Sequence, residues 1–311
     1  MIPKYKWKKL GNGIILIILS SCISPVDIRI DNPGGQIIIS GQISTLENRS
    51  IIQIGSTAAK RLPFPETGAT VTLRDEQDFV LGSYLESTAG VYRLPNFQGL
   101  HGKKYTLDVM LADGRSYKSE IEIMPEFSSS VQLEYQLTQR IVTDPEGTNV
   151  LQKFVEIYVS TTLPEACAPC FINWTVEEVY KLTPADFPDP FGSTPQSCYI
   201  TQKADPNRIQ LLNSSILTDK RIEKVFVCNR KVDYSFVEKH YFVMYQSFIT
   251  GNAHSYWKKV NIVANQSGSI FDTPPAQIEG NIKNTTDPSE VVWGYFQSAN
   301  ETYNRFFLLP S

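Results

Sequence analysis

Lys104-Tyr105-Thr106-Leu107-Asp108-Val109-Met110-Leu111-Ala112-Asp113-Gly114-Arg115-Ser116-Tyr117-Lys118-Ser119-Glu120-Ile121-Glu122-Ile123 is the stretch on which the fold turns. Tyr105, Leu107, Val109 and Leu111 recur with a period of two, and Tyr117, Ser119, Ile121 and Ile123 repeat it. Each arm therefore reads as a strand with one face turned to a core. Asp113-Gly114 between the arms supplies the positive φ that a tight hairpin needs. Upstream, residues 37–43, 69–74, 79–85 and 90–94 are further short runs rich in β-branched or aromatic side chains. Six such runs with turn residues between them predict an immunoglobulin-like β-sandwich over 36–128.

Downstream, residues 131–142 and 150–161 flank the turn Thr143-Asp144-Pro145-Glu146-Gly147, and 171–182, 224–227 and 237–249 have the same strand character. Residues 150–161 are apolar enough on both faces for a central strand. The period changes at 252–266, where Ala253, Tyr256, Trp257, Val260 and either Val263 or Ala264 share one helical face and Gly268 follows as a terminator. Strand spacing returns at 291–297 and 303–309, while Pro184, Pro188, Pro190 and Pro195 mark a loop. The fold class is mainly β: the sandwich, then a β-rich domain at 129–311 with at least one amphipathic helix.

The chain has 311 residues, enough for two cores, with 29 basic and 32 acidic side chains and 41% hydrophobic residues. The first 21 residues hold four lysines and no acid, which leaves 25 basic against 32 acidic residues beyond them. A mildly acidic body of that kind has no bulk electrostatic case for nucleic acid. Lys4, Lys6, Lys8 and Lys9 precede an apolar run at 14–19 and the small-residue stretch Leu19-Ser20-Ser21-Cys22, the order of a secretory leader over 1–21. The run is shorter than the roughly 20 residues a spanning helix needs. Leu-Ser-Ser-Cys resembles a bacterial lipobox, in which the cysteine is acylated and becomes the first mature residue. Cys22 is thus expected to anchor the chain to a membrane, with 22–35 as a tether. Ser24, in place of an acid, resembles outer-membrane sorting.

Cys167, Cys170, Cys198 and Cys228 form an even set in an exported chain, which suggests disulfides in one of three connectivities. A bridge from the Cys167/Cys170 pair to Cys198 would clip the proline-rich loop. Cys167-Ala168-Pro169-Cys170 also has the spacing of a thiol redox pair, although 171–179 reads as a strand where such a motif needs a helix. A four-cysteine zinc site has tight ligand spacing at one pair only. His101, His240 and His254 lie far apart in sequence, and Asp186 and Asp189 fit a polar loop. No G-x-S-x-G elbow, H-E-x-x-H helix or Gly-rich phosphate loop occurs.

Phe271-Asp272-Thr273-Pro274-Pro275-Ala276, Ile278-Glu279-Gly280-Asn281-Ile282-Lys283-Asn284 and Val291-Val292-Trp293-Gly294-Tyr295-Phe296 resemble the hallmark run of the domain-of-unknown-function 4249 family of Bacteroidota lipoproteins. Tyr256-Trp257, the strand around Gly41 and Gly68-Ala69-Thr70-Val71 are similar to that family as well. The resemblance implies an envelope lipoprotein whose relatives often sit beside TonB-dependent outer-membrane transporters, and it brings no catalytic residue. Gly280 and Gly294 read as positions where close backbone approach or positive φ excludes a side chain. Pro274 and Pro275 stiffen the entry to the next strand, and Asn281 and Phe296 complete the motif as fold-specifying residues. The leading expectation is a non-enzymatic, outer-membrane-anchored lipoprotein without cofactor, metal or nucleic-acid partner, which binds a nutrient ligand or docks on a TonB-dependent transporter barrel. The alternatives are a periplasmic thiol–disulfide oxidoreductase using Cys167 and Cys170, and a structural envelope module.

Overall fold

In the computed structural model, the alternation of residues 104–123 becomes a pair of strands, set in a chain described over residues 35–57, 63–183, 197–206, 208–265 and 278–308. Cys22, Asp186, Asp189, Gly268, Pro274 and Pro275 lie outside these residues. The strands in chain order are β1 (Ile37–Ser44), β2 (Ile51–Ser56), β3 (Phe64–Pro65), β4 (Thr70–Arg74), β5 (Val80–Thr88), β6 (Val91–Arg93), β7 (Lys104–Met110), β8 (Ser116–Ser119) and β9 (Glu122–Ile123). They continue with β10 (Val131–Thr143), β11 (Asn149–Thr162), β12 (Phe171–Leu182), β13 (Cys198–Lys203), β14 (Gln210–Asn213), β15 (Arg221–Lys231) and β16 (His240–Ile249). Helix α1 (Gly251–Ala264) follows, then β17 (Ile282–Asn284) and β18 (Phe296–Leu308). The protein is mainly β, with one α-helix among the described residues.

Among those residues two sheets result. The larger runs β13-β12-β16-β18-β1-β2-β6-β5-β4-β7-β8-β17, with β14 beside β12, β3 beside β2 and β9 beside β7; the smaller is β10-β11-β15. Period-two alternation turns Ile37, Ile39, Ile52, Leu73, Leu107 and Tyr117 into a first buried core, which Ile282, Val292 and Phe296 from the C-terminal stretch complete. A second core, with Val155, Ile157, Ile172, Trp174, Phe242 and Met244, fills the space between the small sheet and the inner face of β12, β16 and β18. Strand β18 is the seam: residues 296–299 run parallel to β1, and residues 300–308 run antiparallel to β16.

Helix α1 begins where the Thr250 hydroxyl caps it, accepting from the Ala253 N–H at 3.2 Å. Ala253 packs with Ile249, Tyr295 and Ala299, and Tyr256 and Trp257 flank that small cluster. The helix covers the end of the large sheet's outer face.

The second arm of the opening hairpin departs from simple alternation. Tyr117 and Ser119 point inward as expected, but Ile121 and Ile123 are exposed and Glu122 is buried. The register of β9 against β7 is one residue out of step with that of β8, and such an extra residue turns every later side chain to the opposite face. The inward place of Glu122 is satisfied by the Tyr295 hydroxyl, donating at 2.5 Å, and by Thr250, donating at 2.9 Å. Burial pushes the Glu122 carboxyl above its ordinary value of 4.5, against the lowering effect of those bonds. The folded chain therefore binds this proton more tightly than the unfolded chain. The group stabilises most below pH 4.5, and that contribution disappears as pH rises through the folded value. Urea unfolding should show wild-type stability falling relative to Glu122→Gln as pH rises from that point; parallel profiles would contradict the assignment.

Candidate functional site

From the outer face of the large sheet in to Val227 and Cys228 of the second core, β1, β2, β12, the β13–β14 connection, β15, α1 and β18 line a cleft of about 310 Å³. Its chemistry starts from Arg49 in the β1–β2 turn. The guanidinium lies 3.5 Å over the Tyr245 ring of β16, donates to Glu177 of β12 at 2.7 Å, and sits 3.5 Å from Glu301 of β18. Burial opposes the charge, but Glu301 and Glu177 hold the Arg49 pKa above its ordinary value. One turn residue thereby straps three neighbouring strands.

Glu301 is almost fully enclosed, and its carboxylate collects donors from both halves of the sheet. Ser44 donates at 2.5 Å, Ser247 at 2.9 Å and Gln42 at 3.0 Å. Behind Gln42 the amides form a directed chain: the Trp257 indole N–H donates to Gln297 at 2.7 Å, and the Gln297 amide donates to Gln42 at 3.1 Å. Gln53, Asn173 and Gln210 add further amides, while Lys203, Asp205 and Arg208 stand at the mouth formed by the β13–β14 connection. The thiol of Cys228 also lines the cleft, but burial pushes it up to about 12, so it stays protonated. Amides, paired charges and two indoles make a binding surface; among the described residues no histidine lines it.

A second polar cluster sits in the other core. Arg230 Nε donates to both oxygens of Glu178 at 2.9 and 2.8 Å, Arg230 pairs with Asp233 at 2.9 Å, and Gln202 donates to Glu178 at 2.6 Å. Burial pushes the Glu178 carboxyl up, and His240, Gln202 and Arg230 more than reverse that, leaving it below the usual carboxylate value. The His240 ring stacks on Phe236 with centroids 3.9 Å apart, and its Nε2 lies 3.2 Å from Glu178 but off the line a hydrogen bond requires. Its Nδ1 faces the Ser235 carbonyl at 3.2 Å. Among the described residues no hydroxyl or thiol is placed for this histidine to activate, so the cluster pins β12, β15 and β16 together. His254 packs against Phe171, and burial lowers its pKa, with Lys258 adding to the effect. His101 lies 3.0 Å from the Asn300 amide, which itself donates to the Pro125 and Phe127 carbonyls.

Cys167 is bonded to Cys170 and both are buried, whereas Cys198 is free and exposed and Cys228 is free and buried. The bridge from the pair to Cys198 is therefore not made: the pair closes on itself, ahead of strand β12. Lys220 donates to the Cys167 carbonyl at 2.6 Å and fixes the loop from outside. Because so short a loop restricts the unfolded chain little, replacing both cysteines by serine should cost only about 2 kcal/mol in denaturant unfolding, less than the roughly 3–4 kcal/mol that a 30-residue loop would give. No group of three or more His, Cys, Asp or Glu able to hold a metal occurs among the described residues.

The remaining motif residues build a backbone clasp. Asn281 donates to the Phe296 carbonyl at 2.7 Å and accepts from the Phe296 N–H at 2.9 Å, so its amide stands in for a neighbouring strand. A Cβ on Gly280 would fall 1.7 Å from the Gly294 oxygen, and one on Gly294, where φ is +102°, would fall 2.0 Å from the Ile39 oxygen. Ile39 and Trp293 complete the contact with a hydrogen bond of 2.8 Å. Apart from Cys228, which the sequence offers as a disulfide partner, and Trp257, which it marks as a helix-face and family-like residue, no side chain of the cleft stands out in the sequence. The available signal was the polar run Gln297-Ser298-Ala299-Asn300-Glu301 inside a strand, all of it buried.

The family model described as "Domain of unknown function (DUF4249)" matches residues 23–305 of this chain. No curated protein matches it.

Proposed function

The chain belongs to the DUF4249 family, and from that premise we propose that it is a non-enzymatic lipoprotein of the outer membrane, anchored through Cys22, that binds a ligand as an accessory to a TonB-dependent transporter. The observation that carries the ligand-binding part is the cleft over the β1/β18 seam, whose lining offers amides, paired charges and two indoles. The leader and the Leu-Ser-Ser-Cys run support the anchor, and the family match begins at residue 23, directly after Cys22. No helix among the described residues is long and apolar enough to cross a membrane. Attachment through acyl chains would leave the β-rich body in water beside the bilayer.

Cys22→Ser should release the protein from outer membranes, and mass spectrometry of the wild-type terminus should find an acylated cysteine. Pull-down of the lipidated chain from outer membranes should recover a barrel protein, and a thermal-shift screen of nutrients should find a stabilising ligand. Failure of both would remove the accessory reading. A thiol–disulfide oxidoreductase has the bonded Cys167–Cys170 pair in its favour. Its burial and the strand that follows weigh against exchange. Insulin reduction that survives replacement of both cysteines would eliminate this second reading.

A further inference from the structure

Several aromatic rings of the large sheet face outward, away from the cores. Tyr241 and Tyr245 on β16 stand opposite Phe307 and Tyr303 on β18, with ring centroids 5.3 and 6.1 Å apart. Tyr303 and Phe307 are 57 and 59% exposed. They are four residues apart on one strand, which places them about 13 Å apart along it. This row adjoins the cleft. Glu177, a cleft residue, pairs across β12 with Lys203 on one side and Val243 on the other, and Arg49 rests on the Tyr245 ring. The ion pair of Arg49 and Glu177 is a shared border between an amide-lined hollow and an exposed aromatic face.

We propose that the hollow and the aromatic row form one extended site for a neutral oligosaccharide, an assignment that rests on the reading of the cleft as a ligand site. The lining carries Arg49, Lys203 and Arg208 against Glu177 and Asp205, and the enclosed Glu301 behind Arg49 brings the charges into balance. With no net field, the site selects neither an anion nor a cation. What it offers in surplus is side-chain amide, which donates and accepts at once, as a sugar hydroxyl does. A lipid tail would call for a lining free of charge, whereas here Arg49, Glu177, Lys203 and Asp205 stand among Ile51, Val176 and Ile209. An extended peptide would use a strand edge for backbone pairing, whereas the tyrosines and Phe307 stand on a sheet face. A sugar ring has a hydroxyl rim for the amides and an apolar C–H face for an exposed aromatic ring, and those two surfaces lie side by side here.

The test titrates the full-length chain in detergent with maltohexaose, cellohexaose, laminarihexaose and xylohexaose, read by calorimetry and by the fluorescence of Trp257. Polygalacturonate and a pool of hexapeptides serve as anionic and peptide probes. The expected result is binding of at least one neutral hexasaccharide, weakened about fivefold or more by Tyr303→Ala and by Phe307→Ala. If an alanine variant melts early, Tyr303→Leu or Phe307→Leu, which keeps bulk and loses the ring's π-face, replaces it. Sugar binding untouched by every ring variant would overturn the extended site. Binding of the anionic or peptide probe alone would overturn the sugar class and leave the cleft a ligand site. Silence from every probe would bring down the proposal and the cleft reading together.

Discussion

Gly294→Ala should leave the chain largely unfolded at urea concentrations where the wild-type protein is native. Two separate effects act at this position. The φ of +102° is a region that L side chains rarely adopt, and the new methyl group would fall 2.0 Å from the Ile39 carbonyl oxygen. Backbone strain of this kind costs about 1–3 kcal/mol, and forced overpacking adds about 1–3 kcal/mol more. The neighbour is backbone, so no side chain can swing away. A loss of about 3–5 kcal/mol is a large part of the roughly 5–15 kcal/mol that holds a domain folded. Gly114 is the control, because its φ is +92° but nothing lies within 4 Å of the place its methyl group would take. Gly114→Ala should show the strain alone, about 1–2 kcal/mol. Equal losses at the two glycines would mean that the clasp tolerates a side chain. Asn281→Leu probes the same clasp chemically: it strands the Phe296 N–H and carbonyl, each worth about 1–3 kcal/mol when left unpaired in the interior.

Asn281 was singled out by the family resemblance alone, whereas Gly280 and Gly294 also had a backbone reading, because a place where close approach or positive φ excludes a side chain is one that glycine fills. The hairpin at 104–123 and the helix at 252–266 were legible for a different reason: their side chains sort by period into wet and dry faces. The strand at 150–161 is central, between β10 and β15, but only Val155, Ile157, Val159 and Thr161 on one of its faces are buried, so its expected two-sided burial is not found. The same test failed where polarity and burial part company. Glu122 sits inside because Tyr295 and Thr250 meet it, so Ile121 and Ile123 turn outward, and no local pattern foretells a one-residue bulge. Strand β18 reads as two pieces, 291–297 and 303–309, because Gln297, Asn300 and Glu301 interrupt its apolar character. Those residues are buried all the same, since β1, β16 and Arg49 supply partners for Gln297 and Glu301, and the Pro125 and Phe127 carbonyls accept from Asn300. The β2 strand, with Ile52 and Ile54 inward, was not among the runs read from the sequence, and β13 and β14 lie along β12 as short strands without an apolar stripe. The cleft was hidden for the same physical reason as β18: its polar side chains find their partners far away along the chain.

Arg49→Met should destabilise the chain by about 3–5 kcal/mol, because it removes the cation from a carboxylate that remains enclosed. Glu301 would keep the hydrogen bonds from Ser44, Ser247 and Gln42, but these are neutral donors. Glu301→Gln alone should cost less, since Arg49 still has Glu177 at 2.7 Å and the Tyr245 ring beneath it. In the double variant neither charge is left, so the combined loss should fall short of the sum of the two, by about 0.5–3 kcal/mol. Salt separates this coupling from that of surface pairs. Lys104–Glu76 and Lys118–Asp78 are open to solvent on both sides and should weaken as ionic strength rises, while the coupling of Arg49 to Glu301 should persist at 1 M salt, where the screening length in water is about 3 Å. Strictly additive losses in the cycle would mean that Arg49 acts as a flat plate packed on Tyr245 and that neutral donors alone satisfy Glu301. The strap would then hold the cleft wall by shape, and its charge would serve Glu177 alone, at the mouth of the cleft.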